Sequence, residues 1–264
     1  MPTVAVPQLA VADLDPAANL ETIADRLGGL PDRVDVALFP EYALTGFVPE
    51  ERLREVALER DGPELDRLRA LAAEHDLGLL AGYVERGRRD GESVDGPAGG
   101  APLYNALAYI APDGETTVYR KRHLWGREAA YLEPGRERVV VETPAGPTGL
   151  LTCHDLNFVA DSAALTDDRV DALFVAGAWP AAHSENWRLL LRARALDGVR
   201  WVVGAGRTGR RSIGGAPETV YAGRSAIVRP DGAVAAALNR DERDLVGELD
   251  ADVLAEQRSF IDVV

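Results

Sequence analysis

Lysine, cysteine and methionine are almost missing from this sequence: one of each in 264 residues. The lone cysteine, Cys153, excludes an internal disulfide framework and is the usage expected of a reducing, cytoplasmic setting. Long apolar runs are missing too. The longest, such as 170–178, fall well short of the ~20 residues a bilayer-spanning helix needs, so no membrane association is expected. The opening Met-Pro-Thr-Val-Ala-Val lacks a basic region followed by an apolar core, which argues against a secretory signal. Positive charge is scarce: Lys and Arg total 29 against 43 Asp and Glu, a net charge of −14. Such a surface repels phosphate backbones and excludes nucleic acid as a main partner. With one cysteine and with His75 and His183 at no ligand spacing, a zinc site has no signature, and no metal or cofactor is expected. The Gly-rich stretch 86–100 has no phosphate-loop pattern.

An apolar fraction of 46% is enough for one large core, and no linker or compositional break divides the chain, so residues 1–264 are expected to form a single domain. Residues 3–11 read as a buried strand whose proline suggests a bulge or an edge. Asp15-Pro16 starts a helix that Gly28-Gly29 stops. Val34–Phe39 is a strand ending in Pro40-Glu41-Tyr42. Residues 50–60 read as a polar helix, and 63–75 as an amphipathic one with Leu65, Leu68, Leu71 and Ala72 on one face. Gly78–Val84 is a strand, and Leu103–Ile110 with 115–120 forms a hairpin around Pro112-Asp113-Gly114. Strands follow at 139–142, 148–152 and 170–175, with helices at 160–168 and 186–196. Four further strands (201–205, 220–228, 234–238, 245–249) finish the chain, Pro230-Asp231-Gly232 making a second hairpin turn. Alternating strands and helices, then hairpins, predict an α/β protein with large mixed sheets covered by helices.

Three reactive side chains sit where apolar strands run out: Glu41, Lys121 and Cys153. The amine and the thiol lie 32 residues apart, and at 121 a compact cation with a shiftable pKa stands where every other fixed cation is arginine. Strand ends are where open α/β sheets hold ligands. An attacking thiol needs a base for its proton and a positive group for the developing oxyanion. A carboxylate among apolar neighbours and an ammonium supply both, so the three residue types suffice for acyl transfer.

The motifs around these residues resemble the nitrilase superfamily of carbon–nitrogen hydrolases. Phe39-Pro-Glu-Tyr-Ala-Leu-Thr-Gly46 is similar to its glutamate motif, Tyr119-Arg-Lys-Arg-His-Leu124 to its lysine motif, and Leu151-Thr-Cys-His-Asp155 to its cysteine motif. Trp125-Gly-Arg-Glu128 with Tyr131-Leu-Glu-Pro-Gly135 resembles the segment carrying a second, supporting glutamate. Gln8, Leu103-Tyr-Asn-Ala106, Gly177-Ala-Trp-Pro180, Trp187 and the late hairpin 221–232 continue the likeness in order along the chain.

The resemblance implies a four-layer α-β-β-α sandwich with two mixed sheets, paired into a homodimer or higher homo-oligomer. It implies Cys153 as nucleophile forming a thioester, and Glu41 as the base. Lys121 and the His154 N–H would hold the oxyanion, and Glu128 would orient Lys121 or the leaving amine. His154, Trp179, Tyr104 and Asn157 are the expected substrate contacts. Cys153-His-Asp resembles the amidase branch, which makes a small-molecule amide the expected substrate, with nitrile and N-carbamoyl compounds as alternatives for the same triad.

The chain also departs from the family. It reads Cys153-His-Asp-Leu-Asn-Phe-Val-Ala160 where the family commonly has Cys-Tyr-Asp-x-Arg-Phe-Pro-Glu. Asp197-Gly198 stands for the usual Glu-Asn, and Gly206 for an expected Asn. These positions are expected to flank the pocket. They leave open a catalytically silent relative that binds through the same pocket, and acyl transfer to an amine. His123 reads as a structural histidine, Trp187 as core, and 207–211 as a solvated arginine-rich loop, with contact to an acidic substrate or a neighbouring subunit as the alternative.

Overall fold

A computed structural model of the chain describes residues 1–87, 100–213 and 216–261. The Gly-rich stretch read above therefore falls, from 88 to 99, outside the described residues. In chain order the elements are β1 (Thr3–Gln8), α1 (Pro16–Gly29), β2 (Val36–Leu38), α2 (Pro63–His75), β3 (Gly78–Arg86), β4 (Leu103–Ile110) and β5 (Thr116–Arg120). Then follow β6 (Val140–Thr143), β7 (Gly146–Thr152), α3 (Val159–Asp167), β8 (Ala172–Gly177), α4 (Ser184–Gly198) and β9 (Trp201–Gly206). A two-strand ribbon, β10 (Arg210–Arg211) and β11 (Thr219–Val220), precedes β12 (Ala226–Val228), β13 (Val234–Ala237), β14 (Arg243–Glu248) and α5 (Ala251–Ile261).

The strands form two six-stranded mixed sheets, ordered β14-β1-β2-β3-β4-β5 and β13-β12-β9-β8-β7-β6. In each, three central strands run parallel: β1, β2 and β3 in the first, β7, β8 and β9 in the second. Period-two alternation sorts the first sheet's side chains onto two faces. Val4, Val6, Val36, Leu38, Leu80 and Leu107 join Leu150, Leu173 and Val203 of the second sheet in one core. Ala5, Ala37, Leu79 and Ala81 face the other way and meet Ile23 and Leu27 of α1 and Leu65, Leu68 and Leu71 of α2. Leu165 of α3 and Trp187, Leu191 and Ala195 of α4 close the far side of the second sheet. The order of layers is helix, sheet, sheet, helix, the four-layer sandwich that the family resemblance implied. No helix among the described residues is long and apolar enough to cross a membrane.

Four local readings change. β1 is interior rather than an edge, and Pro7 is tolerated because it lies beyond the last β1–β2 pair, Ala5–Ala37, opposite Asp244 of β14. Residues 50–60 hold only a 3-10 turn at Glu51–Arg54. Leu58 instead joins the edge of β3, its N–H donating to Val84 O at 2.9 Å and its carbonyl accepting from Arg86 N–H at 2.7 Å. The single strand read over 220–228 is broken, since Gly223 and Arg224 both take φ of 57°. The C-terminal helix α5 escaped the sequence reading because its one buried side chain, Leu254, gives no periodic apolar face.

Candidate active site

The site lies where strands of both sheets end, β2 and the edge strand β5 of the first and β7 of the second. Glu41 follows β2 on a turn in which Tyr42 has φ of 60°. This turn lies flat against Gly82 of β3, where a Cβ would stand 2.5 Å from Tyr42 N, so the base can be placed there only above a glycine. Lys121 follows β5, its N–H donating to Asn105 O at 2.8 Å and its carbonyl accepting from Gly135 N–H at 2.8 Å. Cys153 follows β7 with φ of 49°, a left-handed conformation costly for a residue with a Cβ. A short 3-10 turn, Cys153–Asn157, starts there.

Glu41 and Lys121 form one buried ionic cluster with Glu128. Glu41 and Lys121 are 2% and 1% exposed. Lys121 Nζ donates to Glu41 Oε1 at 2.9 Å and to Glu128 Oε1 and Oε2 at 3.0 and 2.9 Å. Asn105 Nδ2 bridges the two carboxylates, 2.7 Å from Glu41 Oε1 and 3.2 Å from Glu128 Oε1. Tyr42 OH donates to Glu128 Oε1 at 2.5 Å, and Trp125 N–H to Glu128 Oε2 at 2.7 Å. The free oxygen of Glu41, Oε2, accepts from Ala178 N–H at 2.7 Å, directly after β8. Two carboxylates thus share one ammonium, and neutral donors satisfy the remaining lone pairs, which is what lets this much charge stay buried.

Electrostatics fix the proton inventory. Burial would discharge Lys121, but the Glu128 and Glu41 carboxylates outweigh it and hold its pKa well above the ordinary lysine value. Burial, then the Glu41 carboxylate, pushes the Cys153 thiol well up, against the pull of Lys121 and the Ala178 N–H. The resting pair is therefore a neutral thiol beside a charged ammonium. Tyr42 is pushed up by burial and by Glu128, so it remains a hydrogen-bond donor. Asp155, under the cysteine turn, makes no ion pair among the described residues. It accepts from Tyr119 OH (2.7 Å), Thr152 N–H (3.0 Å) and His123 N–H (2.9 Å), and burial lifts it to about 6.

Cys153 stands at the meeting of two lobes. One, about 260 Å³, holds Glu41, Lys121, Glu128, Tyr42, Phe47 and Tyr221. The other, about 240 Å³, is walled by His154, Asn157, Trp179, His183 and Asn186. Trp125, half exposed, borders both. Of the expected substrate contacts, His154, Asn157 and Trp179 line the second lobe. Tyr104 does not. It carries the Arg120 guanidinium 3.7 Å above its ring and lines a separate cavity with Arg60 and Glu133. Its neighbour Asn105 reaches the site instead, because alternation along β4 puts the two on opposite faces.

The departures divide likewise. His154 and Asn157 face the cavity, and burial, then Lys121, lowers the His154 pKa and keeps its ring neutral. Asp197 instead accepts from Ser162 Oγ and pairs with Arg194, while Gly198 makes room for buried Arg200, whose guanidinium a Cβ would meet at 2.3 Å. Gly206 abuts Gly223, where a Cβ would lie 1.9 Å from its carbonyl oxygen. The 207–211 loop is not solvated throughout: Arg207 and Arg211 are 1% and 9% exposed.

His123, Asp155 and Asp161 are close enough together to hold a metal ion. Their carboxylates are already engaged: Asp161 by Arg122 and by His123 Nε2 at 2.7 Å, Asp155 by the three neutral donors above. Asn105, Tyr42 and Trp125 were missed as site residues, whereas Arg211, within the loop for which contact with an acidic substrate was the alternative reading, does line the lobe of Glu41 and Lys121. Asn105 lay inside a motif already noted, and strand phase would have chosen it over Tyr104.

The family model for carbon–nitrogen hydrolases matches residues 3–259. An (R)-stereoselective amidase from Pseudomonas sp. is 30% identical over 257 residues, 97% of this chain and 87% of that protein. The omega-amidase YafV of Escherichia coli (strain K12) is 29% identical over 93% of this chain and 88% of its own. Among solved structures, a CN-hydrolase superfamily protein from Xanthomonas campestris with an arsenic adduct in its active site superposes with a TM-score of 0.84. It is 26% identical, over 98% of this chain and 94% of that one.

Proposed function

The chain belongs to the carbon–nitrogen hydrolase family, and from that premise we propose that it is a thiol-dependent amidohydrolase. It cleaves the non-peptide C–N bond of a small linear amide or carbamoyl compound through a thioester on Cys153. The observation that carries this reading is the buried thiol, on a left-handed turn, lining one lobe with a cluster of two carboxylates and one ammonium.

The chemistry follows from that arrangement. Glu41 takes the Sγ proton as sulfur attacks the carbonyl carbon, since a thiol held neutral by burial becomes nucleophilic only with a base in reach. The oxyanion is received by Lys121 Nζ and by the His154 N–H, which belongs to the unpaired first N–H groups of its helical turn. Collapse of the tetrahedral intermediate expels ammonia or an amine, which leaves with the proton from Glu41. Water then gives a proton to Glu41 and attacks the thioester. The second collapse releases the carboxylic acid, and the thiolate recovers the proton. Glu128 holds Lys121 and, through Trp125 N–H, the wall between the lobes.

The amidases among the relatives support an amide substrate. The single free cysteine supports a reducing cytoplasm. Exposed Val159, Leu189 and Leu196 on α3 and α4 support a homo-oligomer of single-domain subunits.

The test is ammonia release across aliphatic, ω-acid and N-carbamoyl amides, with Cys153→Ala expected to abolish turnover and Glu41→Gln to accumulate an acyl adduct by intact mass. Full activity in Cys153→Ala overturns the proposal. Absence of both ammonia and adduct from every amide would leave a ligand-binding protein.

A further inference from the structure

Two hydrogen-bond donors on residues that wall the second lobe have nothing to donate to. Trp179 is 8% exposed, and its buried indole Nε1 has no partner among the described residues. Trp187, with its ring centroid 5.6 Å away, shows the ordinary arrangement, its Nε1 donating to Arg224 O at 3.0 Å. An indole N–H donates only, so Trp179 is satisfied solely by an acceptor brought to it.

The second donor is the His154 ring, and Asn157 locates its hydrogen. Asn157 Nδ2 lies 3.2 Å from His154 O and 3.1 Å from His154 Nδ1. A carbonyl oxygen only accepts, so the amide nitrogen of Asn157, not its oxygen, is the atom turned to His154. One hydrogen on Nδ2 goes to the carbonyl and the other to Nδ1. The neutral ring then carries its own hydrogen on Nε2, which has no partner among the described residues. His154 and Asn157 both depart from the family pattern, so this donor belongs to this chain in particular.

The two lobes differ in charge. Among the described residues no Asp, Glu, Lys or Arg walls the second, whereas Glu41, Lys121, Arg127, Glu128 and Arg211 wall the first. The reaction assigns what each receives. Of the four bonds at the tetrahedral carbon, one goes to Cys153 Sγ. The oxygen is drawn to Lys121 Nζ and the nitrogen takes its proton from Glu41, both on the first lobe. The acyl chain is left to enter the second. At about 240 Å³ that lobe lies just below the usual range for ligand pockets, which suits a short chain.

We propose that the second lobe is the acyl pocket, and that His154 Nε2–H and Trp179 Nε1–H form its donor wall. The wall selects short acyl groups that carry an uncharged oxygen acceptor, such as an ether, over plain alkyl chains. A carboxylate would find no cation there. The inference rests on the amidohydrolase reading above and adds to it the chemistry of the acyl group.

The experiment compares kcat/KM for two pairs of primary amides matched in length, methoxyacetamide with butyramide and 3-methoxypropanamide with valeramide. In each pair an oxygen replaces a methylene. The intact enzyme is expected to favour the ether by about tenfold or more in the pair whose oxygen reaches the wall. His154→Phe and Trp179→Phe, which keep a ring in place, should each cut that preference about 3- to 10-fold. Asn157→Leu frees the His154 ring to hold its hydrogen on either nitrogen and should cut it about twofold. The inductive pull of the ether is common to every variant and drops out of this comparison. Residues that serve packing alone would lower both amides of a pair together and leave the ratio as it was. A preference kept in the double variant His154→Phe with Trp179→Phe overturns the proposal. So does its loss in Arg211→Met, which would put the acyl chain in the first lobe. Should the double variant not fold, calorimetric titration of Cys153→Ala with both pairs decides, and equal binding of ether and alkyl amides overturns it. Ether and alkyl amides cleaved alike would remove the donor wall and spare the amidohydrolase. Ether-selective binding to Cys153→Ala without turnover of any amide would do the reverse.

Discussion

Two buried ion clusters in this molecule are built to opposite plans. Arg207 meets Asp13 in a two-pronged pair, Nη1–Oδ1 at 3.0 Å and Nη2–Oδ2 at 2.7 Å, with the guanidinium 4.1 Å from the Tyr221 ring centroid. Charges balance one to one, and Asp13 also accepts from Phe47 N–H, so the pair fastens the turn after β1 to the loop after β9. Lys121 meets two carboxylates with a single Nζ, leaving one negative charge in excess beside a thiol. The first cluster has nowhere to put a proton without breaking itself. The second has a carboxylate in surplus and a thiol at hand. Fork geometry suits the first, and a point charge that reaches three oxygens suits the second. That difference gives a physical reason for the one lysine standing at 121.

The comparison is broken most severely by giving the second cluster the cation of the first. In Lys121→Arg a planar fork must fit where Nζ touches Glu41 Oε1 and both Glu128 oxygens. The variant is expected to lose at least ~10³-fold in kcat/KM for a good amide, about 4 kcal/mol of transition-state stabilisation. Retained activity would show that any cation serves there. Breaking the balanced pair should act on stability instead. Arg207→Met leaves Asp13 buried and unpaired, a loss of about 3–5 kcal/mol by denaturant titration. Adding Asp13→Leu should recover most of it, because both charges are then gone. Lost turnover at unchanged stability would instead assign Arg207 to the chemistry.

How far such features were legible in the sequence depends on what sets them. Strand alternation at Val4–Val6 and Val36–Leu38 and the turn residues at 112–114 are local, and the two sheets follow from them. The strand-end placement of Glu41, Lys121 and Cys153 could be read the same way. Glu128 was legible only through a family likeness, since nothing local marks it off from Glu133. Tyr104 was chosen over Asn105 because which face of β4 looks inward is decided by the opposing sheet. Arg211 read as solvated because its burial depends on Phe47, 164 residues away. Asp197 and Gly198 read as pocket residues although they accommodate Arg194 and Arg200, a packing relation among α3, α4 and the start of β9. What failed was long-range and three-dimensional.

Asp155 sharpens the comparison as a third case, a buried carboxylate held by neutral donors and, among the described residues, by no ion pair. Its pKa of about 6 lies above the ordinary 3.8 because burial outweighs Lys121, the Tyr119 hydroxyl and the two N–H groups. The folded chain therefore binds this proton more tightly than the unfolded one. The associated stability is fully present below pH ~4 and is lost as pH rises through about 6, a change on the order of 3 kcal/mol. Carboxylates paired to arginine contribute with the opposite sign, so the measurable quantity is a difference between variants. Asp155→Asn removes the titration but turns an amide N–H toward an N–H donor that Asp155 now satisfies, so it should be less stable at pH 4. Unfolding free energies from pH 4 to 7 are expected to show the gap between wild type and Asp155→Asn narrowing as pH rises. A gap that stays constant across this window would mean that Asp155 remains ionised throughout, with its three neutral donors doing the work that arginine does for Asp13.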